Sequence, residues 1–296
     1  NPWEISNDTR AAWAAGLDIP LMADNPDAEV LYWVGCMGSF DERNKKVATA
    51  VATILKAAHV NFAILGPEEA CTGDPARRIG NEYLWQMMAQ QNIETLDGYG
   101  FHRDSAQHGH APGNGAIATQ RTVLTACPHC FNTMKNEYPQ LGGDYEVVHH
   151  STYINSLLDT HALTLPEGFD TRKLTYHDPC YIGRYNDVFD EPRRVLTVLT
   201  SQGITEMHRT RTKSFCCGGG GGRAWMEETT GTRVNQSRVN EALDTGASVL
   251  AAACPFCITM FDDGIKGVEA EEKMQIEDIA EIVVQAIEAR QEIQTS

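Results

Sequence analysis

Short apolar runs rich in β-branched and aromatic residues alternate along this chain with stretches whose apolar residues fall at helical spacing. Residues 29–34 (EVLYWV) form the first run and predict a strand, and residues 43–58 (RNKKVATAVATILKAA) predict the helix that returns the chain. Residues 60–65 give a second strand, ending at Gly66-Pro67. Asp74-Pro75 reads as an N-cap with proline at the first helical position, opening a helix to about Gln91. Residues 122–126 (TVLTA) predict a third strand with a helix after Pro128, and the YEVV run before His149-His150 predicts a fourth. The first 28 residues are polar and punctuated by proline, with a short helix expected over 9–16.

The second half repeats the plan. Strands are expected over 174–177, 205–208 and 248–253 (SVLAAA), helices over 192–201 and 276–290. All nine cysteines follow predicted strands, in one pattern written twice. The first copy is Cys36, Cys71-Thr72-Gly73 and Cys127-Pro128-His129-Cys130; the second is Cys180, Cys216-Cys217-Gly218 and Cys254-Pro255-Phe256-Cys257. Cys36 and Cys180 lie 144 residues apart, Cys71 and Cys216 145, and Cys127 and Cys254 127, the shorter offset reflecting a Gly-, His- and Ala-rich loop over 97–120. Strands alternating with helices imply mostly parallel sheets, whose ligands sit at the strands' carboxyl ends. The expected fold is therefore α/β: two pseudo-symmetric Rossmann-like halves, 29–165 and 166–296, behind a lead-in of 1–28, with cysteines at the C-terminal rim of each sheet.

Composition narrows the function. Hydrophobic content of 42% with 22% charged residues is that of a folded chain. The net charge of −16 argues against nucleic acid as a partner, because phosphates would be repelled. No run of about 18 apolar residues is present, so no membrane-spanning segment is expected. The start, Asn1-Pro2-Trp3-Glu4, lacks both Met and a signal-like region, which suggests a processed chain or a piece of a longer one.

Cysteines in CxxC pairs without a signal region read as metal ligands in a reducing compartment. Proline after the first cysteine of each pair suits a helix start, where free amides and the helix dipole stabilise thiolate charge. Adjacent ligands such as Cys216 and Cys217 must bind through irregular backbone, and Gly218 to Gly222 supply that freedom. Zinc is a rival for Cys36, Cys71, Cys127 and Cys130, which satisfy a tetrahedral count. Five cysteines exceed zinc's need and favour an iron–sulfur cluster. A structural zinc protein that mediates assembly stays open beside the redox reading.

The repeated C…CCG…CxxC pattern resembles the cysteine-rich CCG domain of the heterodisulfide reductase B and D subunits, over about residues 29–265. Related domains occur in the C subunit of glycerol-3-phosphate dehydrogenase and in lactate-utilisation iron–sulfur proteins. The stretches Tyr176-His177-Asp178-Pro179-Cys180-Tyr181-Ile182-Gly183-Arg184 and Ser214-Phe215-Cys216-Cys217-Gly218 look most like a membrane-linked branch. So do Asn1-Pro2-Trp3 and Cys71-Thr72-Gly73-Asp74-Pro75-Ala76-Arg77-Arg78. That branch holds electron-transfer-flavoprotein:menaquinone oxidoreductase subunits and the K subunit of the sulfite-reductase-associated complex. The resemblance implies a noncubane [4Fe-4S] cluster on Cys180, Cys216, Cys217, Cys254 and Cys257. It also implies an upstream ferredoxin-type cluster segment, electron-transfer flavoprotein as donor, a quinone-reducing membrane part, and a place at the cytoplasmic face of the membrane. Reduction of a disulfide or trisulfide at the second cluster is the alternative it allows. Thr72 departs from the family pattern, standing where the second cysteine of the first motif belongs. That leaves Cys36, Cys71, Cys127 and Cys130 to hold an ordinary four-cysteine cluster, a cluster with a non-cysteine ligand, or nothing stable.

His177 and Asp178 are candidates for proton delivery or tuning of the cluster potential, or form a hydrogen-bonded rim pair. Gly218 and Gly219 are candidates for close backbone approach to the cluster; Arg184 and Arg223 could offset its charge or form ordinary salt bridges. His149-His150 could face the first site, whereas His129 is expected to pack or point to solvent. His102, His108 and His110 look like a metal tract in a solvated loop. Trp33, Trp85 and Trp225 are expected in the core.

Overall fold

The computed structural model describes residues 1–106 and 121–295. The chain forms two compact units, Asn1–His149 and His150–Ser296. His108 and His110 of the expected histidine tract lie outside the described residues.

The first unit runs β1 (Val30–Trp33), α1 (Gly35–Phe40), α2 (Glu42–Ala57), β2 (Phe62–Ala63), α3 (Asp74–Arg78), α4 (Glu82–Gly98), β3 (Thr122–Thr125), α5 (Pro128–Asn132) and β4 (Glu146–His149). Its sheet has the order β2-β1-β3-β4 with every pair parallel, Leu31 standing beside Ala63 and Val123. All four residues of β1 are buried, as expected of a parallel strand covered on both faces. Asp41 starts α2 by accepting from the Asn44 amide at 3.0 Å, a cap of the kind worth about 1 kcal/mol.

Two sequence expectations change here. The helix expected from Asp74 to about Gln91 is broken in two: left-handed Gly80 ends α3, and the Asn81 side chain caps α4 by accepting from the Leu84 amide at 3.1 Å. The lead-in holds two 3-10 turns, Asn7–Thr9 and Ala12–Ala14, in place of one helix. Those turns still pack: Trp13 is buried, and Leu21 forms a parallel bridge with Ile64 beyond β2.

The second unit runs α6 (His150–Asp159), β5 (Leu174–Tyr176), α7 (Gly183–Asn186), α8 (Asp190–Leu199), α9 (Val234–Leu243), β6 (Val249–Ala252), α10 (Pro255–Gly267), β7 (Gln275–Asp278) and α11 (Ile279–Thr295). Its parallel sheet is β5-β6-β7, and a lone parallel bridge from Leu174 to Ile204 marks where β2 stands in the first unit. That bridge replaces the strand expected over 205–208. The helix expected from 276 begins later, because residues 275–278 pair with β6. Asp278 and Glu281 then form a capping box: Asp278 Oδ1 accepts from the Ala280 amide at 2.9 Å, and Glu281 Oε2 from the Asp278 amide at 2.8 Å.

Trp33 and Trp85 are among the largest fully buried side chains, as expected. Trp225 is not: 42% of it is exposed, and its ring meets Phe256 edge-on at 6.3 Å. It sits in a short 3-10 turn after the glycine run, with Phe256 of α10 against its ring.

Candidate metal centres

In the first unit the carboxyl ends of β1 and β3 deliver three of the four cysteines. Cys36 falls in the first turn of α1, two residues beyond Val34. Cys127 is the N-cap residue of α5, Pro128 opens the helix, and Cys130 lies within it. Cys71 comes from the segment between β2 and α3. All four are buried. Cys36 and Cys71 are in hydrogen-bonding contact, as are Cys127 and Cys130, and each pair lies close enough to feel the other's charge. A Cβ on Gly35 would lie 3.4 Å from Cys130 Sγ, which shows how closely the turn after β1 passes α5.

Three polar groups address these sulfurs. Gly73, at φ 84°, directs its amide to Cys71 Sγ at 3.5 Å, in a conformation that a side chain would strain. Thr72 donates its hydroxyl to Cys130 Sγ at 3.6 Å. Arg10, from the lead-in, donates from Nη2 to Cys36 Sγ at 3.4 Å. The Arg10 Nη1 pairs with Glu69 Oε1 at 2.7 Å, and both side chains are 1% exposed. Glu69 also accepts from the amides of Val34 at 3.0 Å and Gly35 at 2.9 Å. The hydrogen bond from Cys71 lowers Cys36 to about 7, Arg10 adds to this, and burial opposes it. Cys71 and Cys130 are pushed well up, by the neighbouring thiols Cys36 and Cys127 and then by burial.

The second unit repeats this arrangement with five thiols. Cys180 follows β5 and is part exposed, as is Cys216 in the long connection before α9. Cys217 is buried. Cys254 is the N-cap residue of α10, with Pro255 at its start and Cys257 one turn in. Cys217 hydrogen-bonds with both Cys216 and Cys257, and Cys257 with Cys254. The Gly218 amide points to Cys216 Sγ at 3.2 Å and the Gly219 amide to Cys217 Sγ at 3.5 Å. Gly218 sits at φ 94°, so this amide geometry depends on the absent side chain. The hydrogen bond from Cys216, then that from Cys257, brings Cys217 down to about 5 against its burial. Cys216 is raised by its contact with Cys217, and Cys257 by burial and then by Cys217.

Asp178 binds Arg193 through both oxygens, at 2.7 and 3.0 Å, and accepts the Arg211 amide at 2.7 Å. His177 is fully enclosed: Nδ1 accepts from Arg238 Nε at 3.3 Å, and the ring meets Phe261 edge-on at 4.7 Å. Burial holds His177 well below the usual histidine range, with Arg238 and Arg184 adding to the effect. Ser214, two residues before Cys216, is tied by several of the same residues. Its Oγ donates to the Asp178 carbonyl at 3.1 Å and accepts from Arg238 at 3.4 Å, and its carbonyl accepts from Arg184 at 2.7 Å. Arg223 is exposed in the 3-10 turn after the glycines.

Four further histidines have hydrogen-bond partners. His129 Nδ1 meets Asp74 Oδ2 at 2.8 Å, His149 Nε2 the Ala126 carbonyl at 3.3 Å, His150 Nε2 Asp278 Oδ1 at 2.9 Å, and His102 Nε2 the Gly142 carbonyl at 3.1 Å. Sequence reasoning missed Arg10, Glu69, Arg193 and Arg238. Each is a charged residue in a polar stretch, and nothing local marks it as buried.

The donor set fits an iron–sulfur cluster. None of the nine cysteines is in a disulfide, each group joins thiols from separate elements, and backbone amides are aimed at sulfur. Among the described residues no three His, Cys, Asp or Glu side chains are disposed around a single metal ion. A cluster does not need that convergence, because its thiolates bind different irons.

The cysteine-rich domain family CCG matches residues 30–135 and 174–262, once in each unit. "Probable iron-sulfur-binding oxidoreductase FadF" of Bacillus subtilis is 38% identical over 97% of this chain, which spans 39% of that protein. "EtfAB:quinone oxidoreductase" of Syntrophomonas wolfei is 37% identical over 97% of this chain and 39% of its own length. The D subunit of the dihydromethanophenazine:CoB--CoM heterodisulfide reductase of Methanosarcina acetivorans is 32% identical over 97% of this chain and 65% of its own. The chain thus spans well under half of the first two relatives and about two thirds of the third. With the family pattern matched in both units and the thiols gathered as described, this chain belongs to the CCG cysteine-rich domain family.

Proposed function

We propose that this chain is the iron–sulfur electron-transfer part of a larger oxidoreductase. In this reading Cys180, Cys216, Cys217, Cys254 and Cys257 hold a noncubane [4Fe-4S] cluster, and Cys36, Cys71, Cys127 and Cys130 hold an ordinary four-thiolate [4Fe-4S] cluster. The observation that carries it is the repeated gathering of free thiols beyond parallel strands, with backbone amides pointing at sulfur. Such clusters supply one-electron exchange when bound, and the protein's part is to fix their charge, hydrogen bonds and solvent access. Gly73, Gly218 and Gly219 donate to the sulfurs. Asp178, His177 and Arg184 act by positioning the segment that carries Cys216 and Cys217, through Ser214. Arg223 offers positive charge at the surface beside that segment.

The name of the Syntrophomonas wolfei relative supports electron-transfer flavoprotein as a donor and quinone as the eventual acceptor. A ferredoxin-type segment and a membrane part at the cytoplasmic face complete the reading, as the family resemblance implies. No described helix is long and apolar enough to cross a membrane, so the quinone site is assigned to another part of the protein or complex. Anaerobic reduction followed by electron paramagnetic resonance tests the assignment. Two one-electron centres support it, and a zinc-loaded chain with no redox-active signal overturns it.

A second reading, reduction of a disulfide at the second site, is favoured by one observation. Cys180 and Cys216 are part exposed, while every thiol of the first site is buried. Turnover of a small disulfide by the reduced protein, lost on substitution at Cys216, would support that reading.

A further inference from the structure

Arg10 is a fully buried cation in hydrogen-bonding contact with a cysteine thiol. A buried Arg–Glu pair is by itself an ordinary way to satisfy two charges. This pair differs, because Arg10 divides its guanidinium: Nη1 goes to Glu69 and Nη2 to Cys36 Sγ. Its Nε is buried without a hydrogen-bond partner among the described residues. The guanidinium also stacks 5.1 Å over Phe40, which fixes it against the end of α1. Glu69 receives three N–H donors, from Arg10, Val34 and Gly35, which favour its carboxylate form against the burial that pushes its pKa up. The Val34 and Gly35 amides lie in the turn that carries Cys36. The carboxylate thus anchors the ligand's backbone, and the guanidinium touches its sulfur.

We infer that Arg10 is a positioning residue that sets the reduction potential of the centre held by Cys36, Cys71, Cys127 and Cys130. The inference rests on the reading that this site carries a cluster. Taking one electron from a donor, such as a reduced flavin, adds a negative charge to a water-poor site. A cation held at a ligand sulfur stabilises the reduced state more than the oxidised one. Beside the second site the buried Arg238 is engaged instead by His177, Ser214, the Arg209 carbonyl and Glu241. Removing Arg10 should therefore act on the centre whose thiol it touches.

The test is an anaerobic redox titration of the intact chain, with both centres followed by electron paramagnetic resonance. Arg10→Met should lower the first centre's potential by at least a tenfold change in its reduction equilibrium, about 59 mV for one electron. Arg10→Lys should restore most of that loss. Glu69→Gln keeps the side-chain shape and leaves Arg10 uncompensated, so the same centre should move the opposite way, to higher potential. That opposition of sign keeps the inference testable even if Arg10→Met fails to fold, since loosened packing would not produce it. An unchanged first potential in a loaded Arg10→Met variant, or a downward shift in Glu69→Gln, overturns the role given to Arg10. A wild-type chain whose iron all resides in the second site overturns the loading of the first site instead, and the iron count separates the two failures.

Discussion

Thr72 donates its hydroxyl to Cys130 Sγ at 3.6 Å, the place that Cys217 takes against Cys257 in the second unit. The two units therefore keep the same geometry with different chemistry, a hydroxyl in one and a thiol in the other. Four thiolates with a hydroxyl donor carry less negative charge than five thiolates. With both sites loaded as proposed, the first centre is on charge alone expected to be the easier of the two to reduce.

Thr72→Cys should give the first site a fifth thiolate. Mössbauer and paramagnetic resonance spectra of the first centre should then converge on those of the second. Thr72→Val should keep the four-thiolate spectrum while lowering its potential. If Thr72→Cys left the spectrum unchanged, the correspondence between Thr72 and Cys217 would carry no chemical meaning.

The glycine run should be sensitive at one position and indifferent at another. At Gly218, with φ 94°, a Cβ would lie 3.3 Å from Val234 Cβ. Gly218→Ala adds a left-handed backbone cost of about 1–2 kcal/mol and shifts the amide off Cys216. At Gly220 no atom lies within 4 Å of where a Cβ would stand, and φ is not positive, so Gly220→Ala should be silent. Iron retained after gel filtration distinguishes them: Gly218→Ala should lose the second cluster, and Gly220→Ala should keep it.

Asp178→Asn would leave Arg193 buried with its main carboxylate partner weakened. Glu206 still holds Arg193 at 2.6 and 3.0 Å, so the loss should be only part of the about 3–5 kcal/mol of a fully broken buried pair, and denaturant unfolding of the second unit should begin earlier. The pH dependence of the second centre's potential should not change. A change there would make Asp178 a proton carrier.

His177 gives a pH prediction with a definite sign. Its pKa is lowered on folding, so the unfolded chain binds a proton that the folded chain refuses. Stability is therefore intact above the unfolded value of about 6.5 and falls as pH drops through it, by up to about 1.4 kcal/mol per pH unit. In urea unfolding between pH 7 and pH 5, His177→Gln should flatten that slope. An equal slope in both proteins would remove His177 from the account.

The strands that end in cysteines were legible because a parallel strand buried on both faces leaves an apolar run, as in β1, β3 and β6. The helix start at Asp278 was also legible in principle, since Asp278 and Glu281 have capping-box spacing. Amphipathic spacing from Ile276 onward hid it by reading as helix. Ile204 was not legible as a mere bridge, because pairing there depends on how far β5 extends beside it. Arg10 and Glu69 could not be found by pattern at all: each is buried only because the other is, across 59 residues of chain.

The most direct test of the two-centre claim is iron and acid-labile sulfide per chain on anaerobically purified protein, with zinc counted in the same sample. About eight irons and as much sulfide are expected in the wild type, falling to about four when Cys127 and Cys130 are both replaced by serine. Zinc with no sulfide would contradict the account, and about four irons in both proteins would contradict the loading of the first site.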